Sequence, residues 1–279
     1  MDDDQIGVVA FDFEFVPGER GRPPQQAFER RDAARSGIAE RREGQRRLEQ
    51  DEPADICIDF ARTLGVAVVS VDYRLSPENP APSSLDDCYA GLAWVFREAT
   101  ARGFDTSRVA VGGASAGGGL AAGVTLMVHD RGEFTTVFQL LVYPMLDDRT
   151  ALRSAVETRG MRVWMPASNE YAWRSYLGSA FGTDAVSSYA APARRADLTG
   201  LPPAWIGVGD LDLFHDEDLD YARRLTDAGV PCETVVVPGA FHGFDIFFRT
   251  RPVTREFWRS QARALQRAFH PDLDESARL

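Results

Sequence analysis

The stretch Val109-Ala-Val-Gly-Gly-Ala-Ser-Ala-Gly-Gly-Gly-Leu120 decides the fold, because it requires a strand, a tight turn and a helix in immediate succession. Val109 to Val111 are apolar and favour a strand, whereas the residues from Leu120 to Val128 favour a buried helix. Between them, Gly113-Ala-Ser-Ala-Gly117 fits Gly-x-Ser-x-Gly, in which small neighbours let the backbone turn sharply and expose the serine. The stretch therefore predicts that Ser115 is a nucleophile at the end of a strand.

A glycine-rich turn between a strand and a helix can also bind phosphate, so a phosphate-binding loop is an alternative to a nucleophile turn. A Walker loop needs Gly-Lys followed by Ser or Thr, and a dinucleotide-binding loop needs a later acidic residue for the ribose. The sequence has neither. A purely structural turn stays open for the motif taken alone, and the choice depends on whether partner residues follow downstream.

Composition and charge limit the classes of function. The 279 residues suffice for one large α/β domain or for two small ones, and a composition of 44% hydrophobic and 26% charged residues is typical of a soluble globular protein. The formal net charge of -11 would repel nucleic acid and anionic membranes, so we expect neither as a partner. The acidity is interpreted as a means of keeping the protein in solution.

The cysteines and the apolar runs indicate a compartment. Cys57, Cys88 and Cys232 are odd in number and far apart, which favours reduced thiols over a disulfide framework. No apolar run reaches the roughly 18 residues of a membrane span, and Met1-Asp-Asp-Asp is unlike a cationic signal peptide. We therefore expect a cytoplasmic protein without a membrane span.

From residue 54 onward, apolar runs of strand length alternate with helical patterns. This alternation predicts a mostly parallel sheet with helices on both faces. In such sheets, catalytic groups gather at the carboxyl ends of the strands. The predicted buried strands after residue 54 are Val66–Val71, Val109–Val111, Phe138–Tyr143, Trp205–Gly209 and Thr234–Val237.

An acid and a base follow two of these strands. Asp212 comes after the strand that ends at Gly209, and His242 lies on a glycine-flanked loop after the next strand. A serine hydroxyl needs an imidazole to take its proton, and the imidazole needs a carboxylate to orient it. The sequence therefore predicts that Ser115 and His242 act together with one of the acidic residues that follow Gly209: Asp210, Asp212, Asp216, Glu217 or Asp218. The other histidines are interpreted as surface or capping residues: His129, His215 and His270.

Five motifs of this chain resemble the hormone-sensitive-lipase-like, bacterial family IV, branch of the α/β-hydrolases. They are Val71-Asp-Tyr-Arg-Leu-Ser-Pro-Glu78, Gly113-Ala-Ser-Ala-Gly-Gly118, Leu201-Pro-Pro203, Asp212-Leu-Phe-His-Asp-Glu217 and His242-Gly-Phe244. The resemblance implies an α/β-hydrolase fold and hydrolysis of short-chain carboxylic esters without a cofactor or metal. It also implies that Ser115 is the nucleophile, Asp212 the acid and His242 the base, and that Asp216 and Glu217 support the loop of Asp212. A helical cap piece is implied at about 160–185. Ala114 and Leu213 depart from the family pattern, and we expect both to be tolerated.

The N-terminal segment departs more seriously from the family. Ile6 to Val16 is interpreted as a half-buried strand, but residues 19–52 are rich in Arg and Glu. The family's His-Gly-Gly-Gly run, expected near Arg41 to Arg47, is missing from the sequence. Either an unusual replacement or a shifted reading frame between about residues 18 and 50 would explain this. We therefore divide the chain into an atypical segment, 1–53, and a catalytic domain, 54–279.

The missing run bears on the oxyanion hole. The backbone N–H of Ala116 supplies the first donor to a carbonyl oxygen, whereas the glycine run would supply the others. We therefore expect slow turnover, and a gap in the sheet if the segment also fails to supply a central strand.

Three functions stay open at this point. The first is a serine carboxylesterase that acts on a small ester substrate, and the second is an amidase or a deacetylase of small aryl substrates. The third is a non-catalytic, ligand-binding relative, similar to the plant gibberellin receptors that lost the base. The sequence leaves the oligomeric state open, a homodimer included.

Overall fold

The computed structural model describes residues 6–12, 37–39 and 56–271, with side chains from residue 57 onward. Seven strands lie in this part of the chain: β1 Ile6–Asp12, β2 Gly37–Ala39, β3 Ala67–Ser70, β4 Phe104–Ala114, β5 Phe138–Val142, β6 Ala204–Gly209 and β7 Cys232–Val237. The α-helices described are α1 Ile56–Leu64, α2 Ser83–Arg102, α3 Ala116–Arg131, α4 Pro166–Leu177, α5 His215–Asp227, α6 Phe244–Phe247 and α7 Pro252–Phe269.

The strands form one sheet in the order β2-β3-β1-β4-β5-β6-β7. Every neighbouring pair is parallel except β2 and β3, which are antiparallel. The predicted α/β class with a mostly parallel sheet is therefore confirmed. The strands predicted after residue 54 are all present, with ends that differ by a few residues, most of all in β4, where strand pairing extends beyond the apolar run. The prediction that the last strand is buried is wrong, because β7 lies at the edge of the sheet and only Val237 in it is buried.

The first strand lies in the middle of the sheet, between β3 and β4, and is parallel to both. Phe11 is opposite Ser70 on one side and Gly112 on the other. The gap considered for the atypical N-terminal segment therefore does not arise, because residues 6–12 fill the central position. The rest of the predicted strand, residues 13–16, and the stretch 41–47 lie outside the described residues.

Helices cover the two faces of the sheet and form two apolar cores. Side chains of α2, α3 and α5 share one core with Val109 and Val111, whereas α1 and α7 share the other with Ala110. This alternation follows from the period of two along a strand, which sends successive side chains to opposite faces. The sheet is thus fully covered in its centre, and the carboxyl ends of β4, β6 and β7 open on the same edge.

The loops after β6 and β7 approach each other closely at this edge. The N–H of Leu211 donates to the Ala240 carbonyl at 3.0 Å, and the N–H of Gly239 donates to Asp210 Oδ1 at 2.7 Å. A Cβ at Gly209 would lie 2.1 Å from the Ala240 carbonyl oxygen, so only glycine permits this contact without displacement. The two loops therefore form one bonded unit at the end of the sheet.

The described residues include neither a membrane-spanning helix nor a cluster of metal-binding side chains. No helix among them has both the length and the apolar composition that crossing a membrane requires. The same residues contain no group of three or more His, Cys, Asp or Glu side chains that could hold a metal ion.

Candidate active site

Ser115 lies at a strained turn between β4 and α3. Its φ is 57°, a left-handed value that residues with side chains rarely adopt. Its N–H donates to the Val142 carbonyl at 2.9 Å, and its own carbonyl accepts from the Met145 N–H at 2.9 Å. A Cβ at Gly113 would lie 2.3 Å from the Gly117 carbonyl oxygen, so the first glycine of Gly-x-Ser-x-Gly is required by contact. The glycine contact and the backbone hydrogen bonds together hold Ser115 in this conformation after the end of β4.

A continuous line of hydrogen bonds joins the three residues that the sequence singles out. Ser115 Oγ lies 2.8 Å from His242 Nε2, and His242 Nδ1 lies 2.8 Å from Asp212 Oδ2. His242 and Asp212 are only 2% and 4% exposed. An ionised carboxylate beside Nδ1 favours the tautomer with the proton on Nδ1, which leaves Nε2 free to accept from the serine. The arrangement can therefore transfer a proton from the hydroxyl to the imidazole.

Asp212 is held by the backbone of its own loop. Its Oδ1 accepts from the Phe214 N–H at 2.9 Å, and its N–H donates to the Gly209 carbonyl at 3.2 Å. One carboxylate oxygen is thus used to orient the side chain, while the other faces His242. This division of the two oxygens fixes the carboxylate without any help from a proline at position 213, which explains how Leu213 is accommodated.

Three aromatic rings enclose the imidazole of His242. Tyr143 meets it edge to face at 4.8 Å between centroids, Phe214 does so at 5.1 Å, and Trp164 lies at 5.9 Å. All three rings belong to segments that the sequence singles out: Tyr143 ends a predicted strand, Phe214 lies in the motif of the acid, and Trp164 lies in the expected cap piece. No role beside His242 is predicted for any of them, although the strand-end positions of Tyr143 and Phe214 were the available signal.

The remaining histidines have the surface roles that the sequence indicates. His215 is the first residue of α5, and its Nδ1 lies 3.0 Å from Asp216 Oδ1. His129 lies near the end of α3, and His270 caps α7. None of the three takes part in the hydrogen-bond line through His242.

Asp216 and Glu217 differ in role, although the resemblance groups them together. The Asp216 carboxylate is exposed and pairs with Arg153 at 3.6 Å, so it does not brace the site from inside. Glu217 is buried, and its Oε1 accepts from the backbone N–H groups of Leu146 and Asp147 at 2.8 and 3.0 Å. Glu217 therefore ties α5 to the segment that follows β5, which also bonds to Ser115 through Met145.

Burial raises the pKa values of two carboxyl groups of α5, those of Glu217 and Asp218. Burial raises the pKa of Glu217 to about 8, although the two backbone donors act in the opposite direction. Burial also raises the pKa of Asp218 well above its ordinary value, and the charges of Glu217 and Asp212 add to the increase. Both groups therefore hold a proton to higher pH than exposed carboxyl groups do.

A pocket of about 600 Å³ lies next to Ser115. Ala116 and Met145 line the side near the serine, and four aromatic residues of the expected cap segment line the other: Trp164, Tyr171, Trp173 and Tyr176. Arg74 is the one formally charged lining residue in the described chain, and its guanidinium is bound by both oxygens of Asp87. The pocket is thus suited to an uncharged, largely apolar ligand.

The predicted oxyanion donor Ala116 belongs to the described residues, whereas the stretch from Arg41 to Arg47 does not. Ala116 is the first residue of α3, where backbone N–H groups have no partner within the helix. The strand next to β4 is β1, and Asp12 at its end is opposite Gly113. The carboxyl end of β1 therefore lies beside the turn of Ser115.

A family model described as the alpha/beta hydrolase fold matches residues 48–246. The chain belongs to this family. This match and the related esterases confirm two predictions: the α/β-hydrolase fold, and membership of the hormone-sensitive-lipase-like branch.

Among characterised alpha/beta hydrolases, the chain is similar to the carboxylesterase NlhH of Mycobacterium tuberculosis, with 38% identity over 205 residues. That alignment covers 73% of this chain and 64% of the relative. The ethyl acetate hydrolase of Pseudomonas putida is 30% identical over 70% of this chain and 61% of its own length. The chain thus spans less than two thirds of these relatives.

Solved structures of the family show the same fold. A bacterial heroin esterase superposes with a TM-score of 0.77 at 35% identity, covering 96% of this chain and 77% of its own. The esterase LipW from Mycobacterium marinum gives a TM-score of 0.71 at 40% identity, covering 77% of this chain and 67% of its own.

The raised pKa of Glu217 predicts a pH-dependent stability. Between pH 4.5 and about 8 the folded protein holds a proton that the unfolded chain has released. The stabilising contribution of this group is therefore complete below that window and is lost as pH rises through it. Glu217→Gln keeps an oxygen acceptor without a titrating proton, so its free energy of unfolding should rise relative to the parent between about pH 5 and 8. Urea unfolding across this range measures the difference.

Glu170→Gln is the matched control, because Glu170 forms an exposed ion pair with Arg174. We expect its difference from the parent to stay within about 0.5 kcal/mol at each pH. A Glu217→Gln difference that is equally flat would contradict the assigned protonation.

Proposed function

We propose that the protein is a serine-dependent carboxylesterase in which Ser115 is the nucleophile, His242 the base and Asp212 the orienting acid. The observation that carries the proposal is the pair of 2.8 Å contacts that joins Ser115 Oγ to His242 and His242 to Asp212. The names of the relatives, carboxylesterase and ethyl acetate hydrolase among them, support the same class of reaction.

The chemistry follows from this geometry. Ser115 Oγ attacks the ester carbonyl carbon while its proton passes to His242 Nε2, and Asp212 stabilises the imidazolium that forms. The imidazolium then gives this proton to the departing alcohol oxygen, which leaves an acyl group on Ser115. A water molecule repeats the sequence, transfers its proton to Nε2 and releases the carboxylic acid, and the proton returns to Ser115.

The oxyanion of each tetrahedral intermediate needs donors at fixed positions. The Ala116 N–H is the first of them in this proposal, because it follows the nucleophile directly. Loss of one donor of this kind costs about 10²- to 10³-fold in kcat, so the slow turnover expected from the missing glycine run stays a prediction.

The pocket supports a preference for uncharged esters with an apolar group. Its volume of about 600 Å³ exceeds what a short acyl chain fills, and its walls combine Met145 with several aromatic rings. We infer that a short acyl group is joined to a bulky, neutral alcohol, of which an aryl alcohol is the simplest case. Cleavage of small aryl amides would use the same residues, and no contact of the described chain favours it over ester cleavage.

The non-catalytic alternative lacks support. A relative that had lost catalysis would lack a base within reach of the serine, whereas His242 is within hydrogen-bond distance of Ser115. The cytoplasmic location, the homodimer, the cap piece at 160–185 and the absence of a nucleic-acid partner stay predictions.

Substitution of the three residues tests the proposal. We expect Ser115→Ala, His242→Ala and Asp212→Asn each to lower kcat by about 10⁴-fold, and any pair of them to cost little more, because the three act as a unit. Hydrolysis of p-nitrophenyl butyrate measures this. His215→Ala is the control, since His215 pairs with Asp216 at the surface, and it should stay within about twofold of the parent. Full activity of Ser115→Ala would refute the assignment.

Substitution of Tyr171 tests the inferred substrate class. Tyr171 lines the pocket and is exposed, so Tyr171→Ala should fold normally. We expect kcat/KM for 1-naphthyl butyrate to fall about 3- to 10-fold through loss of an aromatic contact, while the value for ethyl butyrate changes less than about twofold. Equal losses for both esters would show that the naphthyl group does not occupy this pocket.

A further inference from the structure

A second carboxylate reaches the imidazole of His242 through a tyrosine. Tyr143 directly follows β5, and Asp245 lies three residues after His242, in α6. The Tyr143 hydroxyl donates to Asp245 Oδ1 at 2.8 Å, and the ring of Tyr143 meets the imidazole edge to face at 4.8 Å. The pair thus connects the end of one strand to the loop of the base.

Tyr143 is held on all sides. Its φ of 36° is a left-handed value, and its N–H donates to the Gly207 carbonyl at 2.7 Å. Tyr143 as a whole is 2% exposed, and its ring stacks on that of Phe257 with the ring centroids 6.5 Å apart. A residue in an unfavourable backbone conformation persists only where its surroundings hold it, and such residues concentrate at functional sites.

The charge of Asp245 interacts with that of His242, although burial disfavours the ionised carboxyl group. Burial raises the pKa of Asp245, whereas the Tyr143 hydroxyl, backbone N–H groups and a positive charge on His242 act against that increase. The interaction is reciprocal, because a carboxylate that is stabilised by an imidazolium also stabilises the imidazolium.

We propose that Tyr143 and Asp245 form a positioning pair for His242, in which the tyrosine ring holds the imidazole facing Ser115 and the Asp245 carboxylate stabilises the imidazolium. This inference rests on the proposed esterase function. Asp212 orients Nδ1 by direct contact, whereas Asp245 acts through the ring of Tyr143 and through its charge. The site would therefore use two carboxylates, one bonded to the base and one beside it.

Further charged groups act on the residues that contact His242. Asp212 comes from the loop after β6, and Asp218 of α5 interacts electrostatically with it. Arg249 follows α6 and acts on Tyr143, as does Asp212. Of these groups, Asp245 is the one bonded to a ring that packs on the imidazole, so removal of its charge alone is an informative change.

Asp245→Asn and Tyr143→Phe separate the charge from the hydrogen bond. We expect Asp245→Asn to lower kcat about tenfold, to leave KM within about twofold, and to move the acidic limb of the kcat/KM profile to lower pH, since the imidazolium loses a stabilising charge. Tyr143→Phe keeps that charge, so kcat should fall about 3- to 10-fold without a shift of the limb to lower pH. Hydrolysis of p-nitrophenyl butyrate across pH measures all three quantities.

Proton NMR of the His242 ring N–H supplies a readout that needs no turnover. Its titration midpoint should move to lower pH in Asp245→Asn and should not change in Asp227→Asn, an exposed carboxylate paired with Arg223 at the end of α5. An inactive parent would refute the esterase proposal, whereas an unmoved midpoint in Asp245→Asn would overturn the positioning pair. If Asp245→Asn does not fold, a Tyr143→Phe variant with parental kcat and an unchanged His242 resonance would overturn it equally.

Discussion

The left-handed backbone of Ser115 is the constraint on which the site depends. A serine with φ of 57° is held in place by bonds to Val142 and Met145 and by the close contact of Gly113 with Gly117. Such a conformation costs on the order of 1–3 kcal/mol and persists only where the surrounding fold compensates for it. The central strands of the sheet supply that compensation, because β4 lies between β1 and β5.

The loops that follow the strands bring Asp212 and His242 to this strained turn. The backbone of the Asp212 loop uses one carboxylate oxygen and leaves the other for His242. Glu217 ties the helix after that loop to Leu146 and Asp147, next to the residue that bonds to the Ser115 carbonyl. Asp212, His242 and Ser115 are therefore linked through backbone contacts as well as through their side chains.

The sequence predicts much of this arrangement, because short patterns determine it. Gly-x-Ser-x-Gly specifies the turn at Ser115, and the order of Ser115, Asp212 and His242 after buried strands predicts three groups at one sheet edge. The enclosure of His242 by Tyr143 and Phe214 was not predictable, since each ring reaches the imidazole from a different strand end and no local pattern encodes that meeting.

The sequence also does not predict the position of the N-terminal strand within the sheet. Residues 6–12 read as an ordinary first strand, yet they pair between β3 and β4 in the centre of the sheet. Strand order is set by long-range pairing, for which the apolar pattern carries no register or neighbour information. The different burial of Asp216 and Glu217 has a similar cause. Neighbouring residues of a helix face different directions, so the packing of α5 decides which of the two carboxylates is buried.

Mass spectrometry of the protein after reaction with an uncharged organophosphate ester tests the central claim most directly. The reagent transfers its phosphoryl group to an activated serine and stops there, so the measurement does not depend on the rate of deacylation. The account predicts one added phosphoryl group on the peptide that contains Ser115, none in Ser115→Ala, and much slower labelling in His242→Ala. Labelling of another residue, or equal rates with and without His242, would contradict it.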